Sequence, residues 1–349
     1  MKKWSVILIF IILLAMVCVW WAVKEKRPKF VTLMTHDSFA VNEDLLSQFE
    51  KELGYKLKIL KSGDAGAALN QAILSKKNPL ADVFFGVDNT FMSRALAADI
   101  FEPYVSPLLE RIPDRLKLDP SNRLLPVSYG DVCLNYDIAW FNQKGLRPPQ
   151  GLADLIRPAY KSLTVVQNPA TSSPGLAFLF ATIGTYGQDG FLDYWSKLRG
   201  NDVYVANGWS EAYYGKFTRA RGGTRPIVVS YASSPAAEIF YSEKKLQKAP
   251  TAAVLSSGSA YRQIEFAGIL RGTTKLAQAQ KLIDFMLSPG FQKEIPLHMW
   301  VFPANPQASL PDIFVNHAKQ SQKPVMLSPQ LIQDKREHWI EAWTERVLR

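Results

Sequence analysis

Cysteine is scarce in this chain of 349 residues, which contains only Cys18 and Cys133. Cys18 lies inside a long apolar run near the N-terminus, so Cys133 has no partner for a disulfide in the rest of the chain. The sequence also has no repeat with a period of 20 to 50 residues and no low-complexity tract, which excludes a solenoid and a long disordered arm. The roughly 320 residues after the apolar run are enough for two ordinary domains.

Motifs of the common catalytic classes are also missing. The histidines are His36, His298, His317 and His338, and no His-Glu-x-x-His spacing joins them. No Gly-x-Ser-x-Gly or Gly-x-Gly-x-x-Gly motif is found, and Cys133 lies in an apolar, strand-like segment. We therefore expect a binding protein with no catalytic residue and no metal site. An anchored hydrolase or transferase acting on phosphorylated substrates is the alternative, and an anchored structural or sensory domain is a third.

Dense runs of basic residues are absent, although the net charge is +10 at pH 7. Lysine and arginine are spread along the chain, and no nucleic-acid-binding motif accompanies them. We therefore expect no nucleic-acid partner. Attraction to an anionic lipid surface explains the basic balance more simply.

The N-terminus carries an export or anchoring signal. Two lysines precede an uncharged, apolar run from Trp4 to Val23, and basic residues follow from Lys24 to Arg27. The run is long enough to cross a bilayer, and it has no convincing small-x-small cleavage site. Residues 1–27 are thus predicted to be a signal peptide or, preferably, an uncleaved anchor with a basic linker. The rest would lie on the periplasmic, extracytoplasmic face, tethered to the cytoplasmic membrane by residues 4–23.

From Phe30 onward the pattern of apolar segments predicts alternating strands and helices. Strands are expected at Phe30–Thr35, Leu57–Leu60, Asp82–Phe85, Leu163–Gln167, Val203–Ala206, Ile227–Ser230 and Gln263–Ile269. Helices are expected at about Asn42–Leu53, Ala67–Ser75 and Leu176–Tyr186. This order predicts an α/β fold with parallel strands in two sheets or in one very large sheet.

Ligands of open parallel sheets bind outside the carboxyl ends of the strands, so the loops at those ends are the candidate site. His36, Asp37 and Ser38 follow the first strand, and Asp64 lies in a glycine-flanked loop after the second. Asp64 could cap the next helix or meet a cation. A plain turn or helix cap explains these residues equally well.

Later loops are rich in hydroxyls and aromatic rings. Residues 168–175 lead into a helix whose N-terminus would favour a phosphate or carboxylate, and residues 230–235 add a tyrosine to a pair of serines. Trp209 follows Gly208 just after a strand, and Trp300 lies in a further aromatic cluster. Helix capping and burial in the core are the alternatives for these residues.

Several of these loops carry strings that resemble one family. The strings are Thr35-His36-Asp37-Ser38-Phe39, Ala81-Asp82-Val83-Phe84-Phe85-Gly86-Val87-Asp88-Asn89, Thr171-Ser172-Ser173-Pro174-Gly175, Gly208-Trp209-Ser210-Glu211-Ala212-Tyr213, Ser230-Tyr231-Ala232-Ser233-Ser234-Pro235 and Trp300-Val301-Phe302-Pro303. Over nearly all of residues 30–349 the chain resembles the thiamine-binding proteins of bacterial ABC importers, which are two-lobed, type II periplasmic binding proteins.

The resemblance implies a ligand cleft between two lobes, formed by residues 28–130 plus 256–305 and by residues 131–255 plus 306–349. It implies a monomer that captures thiamine, thiamine monophosphate or thiamine diphosphate without a cofactor. The partners would be an ABC permease and its ATPase. Another small cation, such as iron or a polyamine, or a phosphate or phosphonate compound is the alternative ligand.

Carried over residue by residue, the resemblance implies aromatic faces and a carboxylate for the thiamine cation and serine hydroxyls for a phosphate. The implied ligand-binding residues are Asp64, Ala65, Ser172, Ser173, Trp209, Tyr231, Ala232, Ser233, Ser234 and Trp300, to which the first loop adds His36 and Asp37.

Two departures from the family would leave fewer aromatic rings around the ligand. The family usually has tyrosine at the position of His36, and a second tyrosine where this chain has Ala236 and Ala237. Tyr241 or Tyr261 could substitute for the missing rings.

Overall fold

The computed structural model describes residues 29–243 and 246–349. The predicted signal peptide or anchor, with its membrane tether at residues 4–23, lies outside these ranges. Among the described helices, none combines the length and the apolar character needed to span a bilayer.

Eleven strands are found in the described residues, and every predicted strand is among them. They are β1 (Phe30–Thr35), β2 (Lys56–Lys61), β3 (Val83–Asp88), β4 (Phe101–Glu102), β5 (Leu125–Asp137), β6 (Thr164–Gln167), β7 (Tyr204–Ala206), β8 (Ile227–Tyr231), β9 (Thr251–Val254), β10 (Tyr261–Leu270) and β11 (Phe302–Pro303).

The helices of the described residues are α1 (Glu43–Leu53), α2 (Ala65–Leu74), α3 (Met92–Ala97), α4 (Ile138–Lys144), α5 (Ser173–Gly200), α6 (Trp209–Glu211), α7 (Ser234–Phe240), α8 (Leu276–Leu287), α9 (Pro289–Gln292), α10 (Ile295–His298), α11 (Asp312–His317) and α12 (Pro329–Val347). A non-helical residue, Gly187, interrupts α5 at φ 75°. Short 3₁₀ turns lie between β4 and β6, and a π-helical turn at Ala212–Lys216 follows α6.

The strands form one hydrogen-bonded sheet in the order β2-β1-β3-β10-β5-β8-β6-β7, while β4, β9 and β11 pair at its sides. Parallel pairing was predicted, and it holds within β2-β1-β3 and within β8-β6-β7. It is wrong for the centre, because β10 and β5 run antiparallel to their neighbours and to each other. These two long strands join the two parallel groups.

Local sequence explains where the elements begin and end. Asn42 accepts hydrogen bonds from the first backbone N–H groups of α1, and Gly54 ends that helix in the left-handed region at φ 70°. Strand β3 is buried along its whole length, so its apolar residues run without alternation. Helix α2 begins two residues earlier than predicted because Asp64 caps it at Ala65.

Helix α12 packs against α5 and also contacts the segment that follows β3. Its buried Trp339 and Trp343 pack edge-on against Phe180 and Trp195 of α5, with ring centroids 5.7 and 5.4 Å apart. On the same helix, Nε of the buried Arg336 donates to the carbonyl of Thr90, which follows β3. Helix α12 therefore contacts both α5 and the segment that follows β3.

Candidate functional site

A cavity of about 750 Å³ opens where the loops after β1, β2, β6, β7 and β8 converge. The carboxyl ends of strands in each parallel group meet at one edge of the sheet, which brings these distant loops together. Side chains of β10 and the segment before β11 complete the lining. The cavity is large enough for a drug-sized ligand.

The lining is acidic, although the protein as a whole is basic. It contains five carboxylates, Asp37, Asp64, Glu211, Glu238 and Glu265, and no lysine or arginine among the described residues. With the histidines neutral, the formal charge of the lining is therefore −5. Such a field attracts a cation and opposes an anion.

Stacked aromatic rings form one wall. Trp209 lies parallel to Tyr213, with centroids 4.9 Å apart and an interplanar angle of 17°, and its Nε1 donates to Oγ of Ser230 over 2.9 Å. Tyr214 meets Trp209 edge-on at 5.2 Å. These contacts hold the Trp209 ring in place before any ligand arrives.

A second aromatic cluster surrounds Trp300. Its centroid is 5.4 Å from Phe240 and 5.6 Å from Tyr241, and its Nε1 donates to the Tyr241 hydroxyl over 3.3 Å. Trp300 has φ 57°, a left-handed conformation that costs energy for a bulky residue. The hydroxyl of Ser233 donates to the Trp300 carbonyl and helps to hold this backbone.

Asp64 bridges the two halves of the sheet across the cavity. Its Oδ1 accepts from the N–H of Ala65, which caps α2. Its Oδ2 accepts from Oγ of Ser172 at 3.0 Å and from the N–H of Trp209 at 3.1 Å. A charged acceptor strengthens both bonds. The cap predicted for Asp64 is present, and the same carboxylate also ties the β2 loop to the β6 and β7 loops.

His36 and Glu265 form an ion pair at the cavity, with Nε2 3.4 Å from Oε1. The other oxygen of Glu265 accepts from Oγ of Ser128 at 2.7 Å. Burial lowers the pKa of His36, but the pull of the Glu265 carboxylate outweighs it and leaves the pKa raised. Burial likewise raises the pKa of Glu265, yet His36 and Ser128 leave it lowered. The pair therefore favours its charged form.

A series of hydrogen-bonded polar side chains connects three strands, β8, β10 and β3. The hydroxyl of Tyr231 donates to Oε1 of Gln263 at 3.0 Å, and Nε2 of Gln263 donates to Oδ2 of Asp88 at 2.7 Å. Burial raises the pKa of Asp88 to about 6, although hydrogen bonds from neighbouring hydroxyls oppose the shift. This series of hydrogen bonds fixes the orientation of two lining residues, Tyr231 and Gln263.

Known proteins resemble this chain in sequence and in fold. Residues 78–323 match the family described as bacterial extracellular solute-binding protein. The thiamine-binding periplasmic proteins of Salmonella typhimurium and Escherichia coli are 33% and 32% identical over 324 residues, which is 91% of this chain and 94% of each relative. The chain belongs to the bacterial extracellular solute-binding proteins.

Solved structures agree with this membership. The structure titled periplasmic thiamin binding protein matches with a TM-score of 0.80 and 30% identity, covering 93% of this chain and 98% of that one. Iron-bound HitA from Pseudomonas aeruginosa, at 17% identity and a TM-score of 0.72, shows the fold alone. The predicted family and two-lobed α/β fold are confirmed, as is an extracytoplasmic solute-binding component rather than an enzyme. The predicted lobe boundaries stay a prediction.

Most of the predicted site residues line the cavity of this solute-binding protein. Those that do are His36, Asp37, Asp64, Ala65, Ser173, Trp209, Tyr231, Ser234 and Trp300. Contact of any of them with a ligand stays a prediction.

Three predicted residues do not line the cavity. Ser172 is buried and uses its hydroxyl on Asp64, and Ser233 is buried and uses its hydroxyl on the Trp300 carbonyl. Ala232, just after β8, is buried in a small cluster with Cys133 and Ala260. Adjacent residues such as Ser172 and Ser173 therefore differ in whether they line the cavity, and a shared string did not distinguish lining side chains from supporting ones.

Sequence reasoning predicted Ser234 at the start of α7 but missed Glu238 on the same face. Ser234, Ala237, Glu238 and Tyr241 all belong to the lining. Their spacing of i, i+3, i+4 and i+7 is that of one helix face, and this signal could have identified Glu238. Tyr241, one of the two suggested substitute rings, is therefore a lining residue, and its substitution for the missing ring stays a prediction.

The lining also includes residues of β10 that were not predicted. Gln263 and Glu265 are polar residues two apart within an apolar strand, so they share one face. Tyr261, the other suggested substitute ring, is fully buried, and its hydroxyl accepts from Asn89. It is therefore no part of the cavity.

Proposed function

We propose that this protein captures thiamine or its phosphates outside the cytoplasm and delivers the ligand to the permease and ATPase of an ABC importer. The observation that carries the proposal is the pairing of ring-stacking surfaces with five carboxylates in a cavity whose described lining residues include no lysine or arginine. Thiamine offers two flat heterocycles and a permanent positive charge, which aromatic faces and carboxylates attract. The relatives that match over most of the chain are thiamine-binding periplasmic proteins, which supports the proposal independently.

The pose follows from the two kinds of lining. The rings would lie between Trp209 and Trp300, with Tyr231 nearby, and the acidic residues would surround the cationic ring. The phosphate of a phosphorylated form would lie by Ser173 at the N-terminus of α5, with Ser234 adding a second hydroxyl. One cavity would then accept both signs of charge.

A polyamine is the second candidate, because an acidic cavity attracts any small cation. A polyamine has no ring to stack, so the aromatic walls favour thiamine. Binding of either ligand, as proposed, requires no metal and no cofactor. We also propose that the protein acts as a monomer.

Calorimetric titration of the full chain in mild detergent tests the proposal. We expect thiamine, its monophosphate or its diphosphate to bind with a Kd of about 1 µM or tighter, equivalent to about −8 kcal/mol, and spermidine to bind at least about a hundredfold more weakly. Bound ligand should be recovered unchanged, since the protein captures without catalysis. Silence from all three thiamine forms would refute the ligand, and steady hydrolysis of the diphosphate would favour the enzyme alternative.

We also propose that residues 4–23 tether the protein to the cytoplasmic membrane. The apolar run and its poor cleavage site support this idea. Mass measurement of the membrane-extracted native chain should then give the intact 39.2 kDa. A mass reduced by the loss of the first 20 to 30 residues, the length of a signal peptide, would indicate a processed signal peptide instead.

A further inference from the structure

Two of the described lining residues are histidines, His36 and His298. The side chain of His298 is 30% exposed, and its Nδ1 lies 2.9 Å from the carbonyl and 3.7 Å from a carboxylate oxygen of Glu294, the residue before α10. The side chain of His36 is 13% exposed and faces Glu265 at 3.4 Å. Of the two, His36 is the one enclosed within the cavity.

Neighbouring elements fix the imidazole of His36 in this position. Its ring lies against Phe85 with centroids 5.7 Å apart. Gly86, at φ 110°, allows the close approach, since an added Cβ would lie 2.6 Å from Cδ2 of His36. Ser128 orients the partner carboxylate of Glu265 from β5. A ring fixed in this way responds to pH mainly by changing its charge.

Lys61 donates from Nζ to the Asp37 carbonyl at 3.0 Å, and the other charged groups that act on His36 are acidic. They are Glu265 on β10, Asp64 at the start of α2 and Asp37 beside it in the β1 loop. With no lysine or arginine in the described lining, protonated His36 is the main positive charge within the cavity.

From this arrangement we infer that His36 is a specificity-determining residue, whose proton sets the preference of the cavity between cationic thiamine and its negatively charged phosphate esters. The inference rests on the proposed function, because it concerns how the same site ranks its ligands.

The charge balance gives the sign. When His36 is protonated, its charge cancels that of Glu265. As the pH rises through the raised pKa of His36, the proton is lost and the lining gains one net negative charge. A phosphate monoester carries about −1.5 to −2 at pH 7, so it is then repelled more strongly, whereas the thiamine cation is attracted more strongly. Preference for the phosphorylated form should therefore fall as the pH rises.

The test compares dissociation constants for thiamine and thiamine monophosphate from pH 5.5 to 8.5, in the full-length wild type and in His36→Gln. The phosphate itself titrates near pH 6, and the pKa of the buried Asp88 is raised to about 6, so both contribute to the pH dependence in both proteins. We expect the Kd ratio, monophosphate over thiamine, to rise with pH about fivefold more in wild type than in His36→Gln, the scale of one charge in a partly solvated cavity. Superimposed curves for the two proteins would overturn the inference.

Two histidine variants serve as matched controls. His298→Gln removes the other cavity histidine, and His338→Gln removes an exposed histidine of α12. Both should keep the wild-type dependence of the ratio on pH. If His298→Gln abolishes that dependence while His36→Gln retains it, the assignment to His36 is wrong.

A measurement on the unaltered protein covers the case in which His36→Gln fails to fold. The imidazole resonances of the four histidines can be followed by NMR against pH, and His36→Asn provides a second variant for assignment. By linkage, the monophosphate should raise the pKa of His36 and thiamine should lower it. Equal pKa values with both ligands would overturn the inference, whereas failure of thiamine to bind at any pH would instead contradict the proposed function.

Discussion

Replacing Trp209 with alanine should weaken thiamine binding at least about tenfold while leaving the protein folded. Stacking of a ring on a cation in a desolvated cavity is worth roughly 1 to 2 kcal/mol. Contacts with Tyr213 and Ser230 fix the Trp209 ring in its position in the lining. The indole is partly exposed rather than part of the main core, so its loss should cost little stability. Calorimetry gives the affinity, and a melting curve of the free protein reports the fold.

The control for this change is Trp209→Phe. Phenylalanine keeps an aromatic face but loses the hydrogen bond from Nε1 to Ser230. It should recover most of the affinity that alanine loses. An unchanged Kd in Trp209→Ala, at an unchanged melting temperature, would show that the ring is not a stacking surface for the ligand.

Replacing Asp64 with asparagine should weaken thiamine binding about ten- to hundredfold. Asparagine has one acceptor oxygen, so it cannot both cap α2 and accept from Ser172 and Trp209 as Asp64 does. Each lost bond to a charged acceptor is worth about 1.5 to 3 kcal/mol in place. If these bonds hold the halves of the sheet together around the ligand, their loss should appear mainly as faster release, measured by stopped-flow fluorescence.

Asp37→Asn is the matched control for the charge. Asp37 lies in the same lining, and its Oδ1 accepts from the N–H of Gly63 in the adjoining loop, with no bond to the other half of the sheet among the described residues. The variant removes one negative charge without breaking a bridge across the cavity, so its loss of affinity should be clearly smaller. Equal losses in the two variants would mean that the charge of Asp64 matters and its bridging bonds do not.

The sequence predicted the parts of the fold that depend on local chemistry. Asn42 before α1 and the apolar run of β3 identify their elements without knowledge of the rest of the chain. The antiparallel pairing of β5 with β10 was not predictable in this way. It joins Tyr261 to Val132, far apart in the chain, and no local pattern specifies such a partner.

In the candidate site, too, the features set by local sequence were predictable and those set by long-range contacts were not. Loops at strand ends were predictable as a group, because parallel strands bring their carboxyl ends together. Which side chain of a loop faces the cavity was not, since Ser172 and Ser173 are adjacent and only the latter lines it. That choice depends on where Asp64 lies, and Asp64 comes from the other half of the sheet.

The packing of α12 has a consequence for how the protein is made. During synthesis α5 emerges long before α12, so Phe180 and Trp195 of α5 are left without Trp339 and Trp343 for much of that time. The first turn of α5 lines the cavity at Ser173. A nascent chain interrupted before α12 would therefore expose aromatic side chains of α5 next to the cavity. Incompletely folded chains of this kind are retained by chaperones and degraded by proteases.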